Sequence, residues 1–308
     1  MSRYVVSRLL QAPVVLFLLV TLSFFLMRFA PGGPFSNERQ LDPEIERALN
    51  AKYNLDQPLG IQYVLFLKHL LKGDLGPSFK HKNQTVNEII ARTLPNSLVL
   101  GVVSLLLALS IGVGSGIIAS LHHNSMVDYG FMACAMIGIS LPTFVIGPLL
   151  QLVFAIQRHW LPLAGYDGLE SPSFLVLPAI TLALPFAARI ARLTRAGMLE
   201  ILNQDFILTA RAKGLQSHVV IFRHALRGGI LPVVSYLGPA FASIATGSLV
   251  VEKIFQLPGL GREFIEGALN RDYTLVMGTV IVYGVLIIVF NLLADIAYGV
   301  LDPRVRYE

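Results

Sequence analysis

Six long runs of the chain carry no charge: Leu9 to Met27 (19 residues), Thr93 to Leu121 (29), Tyr129 to Gln157 (29), Ser171 to Ala188 (18), Gly228 to Val251 (24) and Tyr273 to Ala294 (22). A helix rises about 1.5 Å per residue, so roughly 20 apolar residues cross a hydrocarbon core of about 30 Å. Each run is long enough to span a bilayer. The whole chain of 308 residues is 54% hydrophobic and 14% charged, with mean hydropathy +0.65, which is more apolar surface than one soluble core can bury. The expected class is an all-α integral membrane protein with six transmembrane helices. Pro172, Pro178 and Pro185 fall in the fourth and shortest run. Membrane helices tolerate proline where neighbours satisfy the freed carbonyls, so a kinked span is expected there.

Six spans put both termini on one side, and positive charge assigns that side. Eleven Lys and Arg lie with the termini, including the seven from Arg189 to Arg227, against four in the short loops opposite: Arg158, Lys253, Arg262 and Arg271. The Arg28 to Arg92 segment is too long, and too mixed with acids, to weigh in this rule. Both termini are therefore expected in the cytosol, with a large extracytoplasmic loop after the first helix. This divides the chain into residues 1–93, an anchor helix and its loop, and residues 94–308, the main transmembrane body. The first run is longer than a signal-peptide core, and Phe29-Ala-Pro31-Gly-Gly-Pro34 has no small-x-small cleavage pattern, so the run reads as an anchor. Within the loop, Pro43 to Tyr53 reads as a polar helix. Gln62 to Leu71 sets Tyr63, Phe66, Leu67 and Leu70 on one face, suited to the membrane or another subunit.

The motifs of common chemistries are missing. No Gly-x4-Gly-Lys-Ser/Thr string is present to cradle phosphates and no His-Glu-x-x-His to hold zinc, so neither ATP nor metal binding by this chain is expected. His122-His123 falls in a loop without a spaced carboxylate partner and reads as a solvated pair. Every histidine lies in a loop or at a span edge, which removes an intramembrane Ser-His hydrolase. The lone Cys134 sits within an apolar run and reads as a packing residue. The net charge of +5 is spread over loops rather than gathered in a stripe, so lipid headgroups, not nucleic acid, are the expected contact.

Polar residues inside the spans have a pattern. Ser235, Pro239, Ser243 and Thr246 recur on one helical face of the fifth run, and Gly284, Asn291 and Asp295 on one face of the sixth. Lipid does not solvate such groups, so these faces should turn to protein or to a water-filled passage. Ser235, Ser243, Thr246 and Asn291 are the candidates for lining a passage. Plain helix packing is the competing explanation for each.

Between the fourth and fifth runs lies a basic segment, Leu208-Thr-Ala-Arg-Ala-Lys-Gly214, followed by Leu-Gln-Ser-His-Val-Val-Ile-Phe-Arg-His224-Ala-Leu-Arg-Gly-Gly-Ile-Leu-Pro232. Gly214, which has no Cβ and so enters the left-handed conformation readily, should end the first of two short helices, with Arg211, Lys213, Arg223 and Arg227 around the break. The segment resembles the cytoplasmic EAA loop of binding-protein-dependent ABC importer permeases. Ala210, Gly214 and Leu226 match its general form, and Leu208 stands where that form has Glu. The peptide-permease branch fits better, through Thr209 to Gly214, Arg223 to Leu226 and Leu231-Pro232. Further strings resemble that branch in order: Arg28-Phe-Ala-Pro-Gly32, Gly76-Pro-Ser78-Phe79, His159-Trp-Leu-Pro162, Arg192-Leu-Thr-Arg195, Leu257-Pro-Gly-Leu-Gly261, Ala268-Leu-Asn-Arg-Asp-Tyr273 and Leu301-Asp-Pro-Arg304.

The resemblance implies a type I ABC importer permease fold in a bacterial inner membrane, importing oligopeptides by alternating access. Dipeptides, glutathione and nickel are the alternative substrates, and an ATP-independent secondary transporter or channel is the alternative class. It further implies four kinds of partner besides membrane lipid: a second homologous permease subunit, two cytosolic ATPase subunits, an extracytoplasmic peptide-binding protein and the peptide itself. ATP and Mg would be bound by the ATPases, and this chain would hold no cofactor and be no enzyme. The coupling loop would cover about residues 203–227. Asp205, Leu208, Thr209, Ala210, Arg211, Ala212, Lys213 and Gly214 would form its docking helix, the small alanines allowing close approach and Arg211 and Lys213 meeting acids.

Overall fold

The computed structural model describes residues 2–29, 47, 54–81, 83–166 and 171–301. All regular elements among them are helices: α1 (Ser2–Phe29), α2 (Leu59–Leu71), α3 (Val86–Leu121), α4 (Met126–Ser140), α5 (Thr143–Gln157, its second half a π-helix) and α6 (Ser173–Leu202). Then follow α7 (Asp205–Ala212), α8 (Ser217–Gly229, with a π-helical middle), α9 (Leu231–Ile254), α10 (Leu260–Leu269) and α11 (Tyr273–Leu301). Four helices are long and apolar enough to cross a membrane, and six spans result if each of two bent pairs counts as one. The helix expected over Pro43 to Tyr53 lies, apart from residue 47, outside the described residues.

The third apolar run is not a straight helix. It bends by 106° between α4 and α5. Pro142 disfavours the helical conformation in its predecessor, and Leu141 is extended with ψ at 122°. The fifth run begins at a 53° bend between α8 and α9, with proline in the first turn of α9. The fourth run, with more prolines than either, stays helical through Pro178 and Pro185 and continues past its apolar end to Leu202. Arg189, Arg192 and Arg195, counted above as loop cations, are therefore helix residues.

The bundle is built on α3 and α6. Gly112 and Gly116, spaced as in a small-xxx-small contact, let the two backbones approach: a Cβ on Gly112 would lie 2.7 Å from the Ala187 carbonyl, and one on Gly116 2.6 Å from that of Ala191. Ala108, Ala183, Ala187, Ile190 and Val233 pack around this crossing. Leu100, Leu177, Leu182, Ile244, Val251 and Phe255 form the larger core beside it.

Helix α1 is peripheral and rests on α11, where Leu19 fills the space left by Gly284. Gly284 is thus a packing position. Helix α2 closes over the end of α1: Phe24, 1% exposed, meets the tilted ring of Tyr63 at a centroid distance of 5.3 Å and stacks on Phe66 at 5.5 Å, and Thr21 Oγ1 lies 2.7 Å from the Tyr63 hydroxyl. The aromatic face of α2, expected to meet lipid or another subunit, meets its own chain instead. Cys134 is on the exposed flank of α4, not in the core.

Candidate functional site

The 203–229 segment forms a helical hairpin at one end of the bundle. In α7, Ile207 and Ala210 turn inward and pack with Met198 of α6 and with Val220 and Ala225 of α8. Asp205, Leu208, Thr209, Arg211, Ala212, Lys213 and Gly214 are exposed. Ala210 therefore belongs to the hairpin's own core and is not available for close docking of a partner; at helical spacing it shares the inward face with Ile207. The outward face is partly apolar, with Leu208 56% and Phe206 48% exposed. Phe206 escaped the sequence reading because a single aromatic in an eight-residue helix has no periodicity to betray it.

Gly214 ends α7 with φ at +75°. The Leu215 N–H donates to the Ala210 carbonyl at 3.3 Å and the Gly214 N–H to that of Arg211 at 2.9 Å, the paired bonds of a Schellman cap. The hairpin is seated on α6 by glycine against glycine. A Cβ on Gly197 would lie 2.2 Å from the Gly229 carbonyl oxygen, so backbone meets backbone there. Nearby, Asp128 at the start of α4 is fully buried and receives both Arg195 Nε and Nη2 at 2.6 Å, tying α4 to α6. His123 Nδ1 stands 3.5 Å from the same carboxylate. His123 thus has the acidic partner that the linear reading missed, since the turn into α4 folds Asp128 back beside it.

Between α6 and α9 a cleft of about 710 Å³ opens on the side of the bundle. It is lined by Arg189, Arg192, Leu193, Pro232, Ser235, Tyr236 and Pro239. Ser235 and Ser243 both lie on the exposed face of α9. Thr246 is three residues further along α9, and its side chain is outside the described residues, as is that of Asp295. Asn291 is placed elsewhere: half-buried, it packs on α9 at Gly238, whose Cβ would meet Asn291 Oδ1 at 3.2 Å. The cleft thus unites one expected lining residue with two arginines that had been counted only as loop charge.

At the end of the bundle away from the hairpin, the motif strings meet one another. Asp272, fully buried at the start of α11, accepts a hydrogen bond from the Ser78 hydroxyl, 194 residues away in sequence. It also accepts the Phe79 N–H at 3.1 Å, the Lys80 N–H at 3.2 Å, the Thr274 hydroxyl at 3.0 Å and the Leu275 N–H at 3.2 Å. One carboxylate thus caps α11 and latches the 76–81 loop. Glu252 does the same for α10, accepting the N–H groups of Gly261 at 2.7 Å and Arg262 at 3.2 Å, while Ser97 Oγ accepts that of Leu260. A Cβ on Gly259 would fall 2.2 Å from the Glu252 carboxylate, which explains a glycine in Leu257-Pro-Gly-Leu-Gly261. Lys253 of α9, and then Arg262 on α10 itself, hold the Glu266 carboxyl of α10 below its ordinary range.

The family described as binding-protein-dependent transport system inner membrane component matches residues 112–307, and its N-terminal membrane component matches residues 1–101. The oligopeptide transport system permease protein OppB of Salmonella typhimurium is 50% identical over 307 residues, covering 100% of both chains. The Haemophilus influenzae protein of the same name is 48% identical over the same extent. The dipeptide transport system permease protein DppB of Bacillus subtilis is 42% identical, over 99% of this chain and 98% of its own. Among solved structures, an amino acid ABC transporter crystallised with histidines aligns with a TM-score of 0.54 at 16% identity, over 69% of this chain and 94% of its own, a likeness of fold alone.

Proposed function

Because the chain belongs to the binding-protein-dependent transport system inner membrane components, we propose that it is one of two permease subunits of an ATP-driven importer of oligopeptides. The relatives named for oligopeptides support that substrate over dipeptides, glutathione or nickel. In this reading the chain crosses a bacterial inner membrane six times, each bent pair being one span. Both termini and the hairpin are cytosolic, and the 28–92 segment and α10 are outside, in keeping with the excess of Lys and Arg on the hairpin side. A second, homologous permease completes the passage. Two cytosolic ATPases hold the ATP and Mg, and an extracytoplasmic binding protein delivers the peptide.

One observation carries this reading: α7 presents an exposed apolar and basic face while its other face packs on α8 and on Met198 of α6. Such an element suits a groove in an ATPase, where Phe206 and Leu208 supply apolar contact and Arg211 and Lys213 meet acids. With Leu208 in the usual Glu position, apolar burial takes the place of a salt bridge; one fully buried Leu or Phe contributes about 1.5–3 kcal/mol. ATP binding closes the ATPases, α7 moves with them, and its seat on α6 carries the motion into the bundle. ATP drives the cycle only through its preference for one of the two states.

Gly214→Val tests the coupling role. Nothing lies within 4 Å of a Cβ at Gly214, so the variant is strained by its backbone alone. A β-branched residue in the left-handed region costs about 1–2 kcal/mol and unwinds the cap that shapes the end of α7. Peptide uptake should fall at least tenfold with the subunit still in the membrane, and Gly214→Asn should retain most of it. Undiminished uptake by the valine variant would remove α7 from the coupling path. The passage is tested separately, by single cysteines at Ser235, Ser243, Thr246 and Asn291 in a Cys134→Ala background. Water-soluble thiol reagents should label them more in one nucleotide state than in the other, and absence of labelling would return them to helix packing.

A further inference from the structure

The cleft between α6 and α9 holds two guanidinium groups that the bundle leaves uncommitted. Arg189 and Arg192 are both exposed on α6, and neither has a carboxylate partner among the described residues. The Arg189 guanidinium stands over the Tyr236 ring at 5.6 Å from its centroid, which holds the group at the cleft wall. Arg195, on the same helix, is neutralised by Asp128, so the pattern is not a general basic helix face. Arg189 lies 16 residues into α6, about 24 Å along its axis, near the inner edge of a hydrocarbon core of about 30 Å. At that depth an arginine reaches water or an anionic group, and the open cleft gives both guanidinium groups a wall from which to do so. Ser235 and the ring of Tyr236 complete a wall that is polar and aromatic on α9.

We infer that Arg189 and Arg192 bind the C-terminal carboxylate of the peptide in the cytosolic half of the passage. This rests on the peptide-import reading above and deepens it. Peptides of any sequence share that one anionic group, so a planar donor pair that reads it gives a handle independent of side chains. The cleft is open to one side, which leaves the bound group a route for release.

The test uses the complete permease–ATPase complex in zwitterionic nanodiscs, with Cys134→Ala and Ser235→Cys and no nucleotide. Labelling of the cysteine by a water-soluble thiol reagent is followed with trialanine, its C-terminal amide and its N-acetyl derivative. Trialanine and the N-acetyl peptide should protect at roughly tenfold lower concentration than the amide, the usual scale for one charge-assisted contact. In R189Q/R192Q the three peptides should become equivalent, whereas R189K/R192K should keep part of the difference. No labelling, no protection, equal protection by acid and amide, or a difference that survives R189Q/R192Q would each overturn the assignment. So would protection that tracks added anionic lipid instead of peptide. Uptake of trialanine by the unmodified complex, with binding protein and ATP, reads the parent function: uptake without the acid–amide difference sinks only the carboxylate site, and absent uptake sinks peptide import itself.

Discussion

Gly197→Val is expected to leave the subunit in the membrane, assembled with its partners, while cutting peptide uptake by two orders of magnitude or more and leaving ATP hydrolysis running. The cause is steric. A Cβ at residue 197 would stand 2.2 Å from the Gly229 carbonyl oxygen and 3.1 Å from its carbon, and backbone cannot swing aside as a side-chain tip can. Overpacking of this kind costs about 1–3 kcal/mol, and here it falls on the backbone-to-backbone seat by which the hairpin bears on α6. Relief requires the hairpin to lift from Met198, so its motion no longer reaches the spans. The matched control is Gly114→Ala, on α3 with nothing within 4 Å of its Cβ, which should be neutral or slightly stabilising. Paired measurements of ATPase rate and uptake in proteoliposomes decide the matter. Tight coupling retained in Gly197→Val would show that the glycine seat does not transmit the motion.

Asp272→Ala is expected to lower the thermal midpoint of the purified complex by several degrees and to open the 76–81 loop to protease. The substitution strips one buried acceptor from the N–H groups of Phe79, Lys80 and Leu275 and from two hydroxyls. Leaving a buried donor unsatisfied costs about 1–3 kcal/mol, so the total is on the order of 3 kcal/mol or more even if water reaches part of the site. Asp272→Asn should be milder. Its oxygen can keep the three donors on the Oδ1 side, and Ser78 can rotate to accept, but its amide then faces the Lys80 N–H. Equal stability of alanine variant and parent would mean that the latch contributes nothing to closing this end of the bundle.

These two residues mark the limits of what was legible beforehand. Gly197 is one of 26 glycines and sits in a helical stretch with no periodic signature. Its role appears only when Gly229, on another helix, arrives against it. Asp272 was visible inside Ala268-Leu-Asn-Arg-Asp-Tyr273 and Ser78 inside Gly76-Pro-Ser78-Phe79, but nothing local says that the two strings bind each other. Gly214 was readable because its reason is local: a helix needs a left-handed residue to stop, and that need is written within five residues. Ala210 and Phe206 were misjudged or missed because an eight-residue helix has too few turns for its sequence to reveal which side faces in.

Membership of the class was carried by composition and run length, since crossing a hydrocarbon core requires only enough consecutive apolar residues and internally bonded backbone. The end of α7 at Gly214 and the helical face shared by Ser235 and Ser243 followed from backbone geometry in the same local way. Folding alone decided that the third run bends by 106°, that Arg189 and Arg192 stand in a cleft beside Ser235, and that Asn291 packs against Gly238. The physical reason is range. Helix formation and termination are set by neighbours within a turn or two, whereas the partner of a buried carboxylate, or the occupant of the space beside a glycine, comes from segments brought together only when the bundle closes.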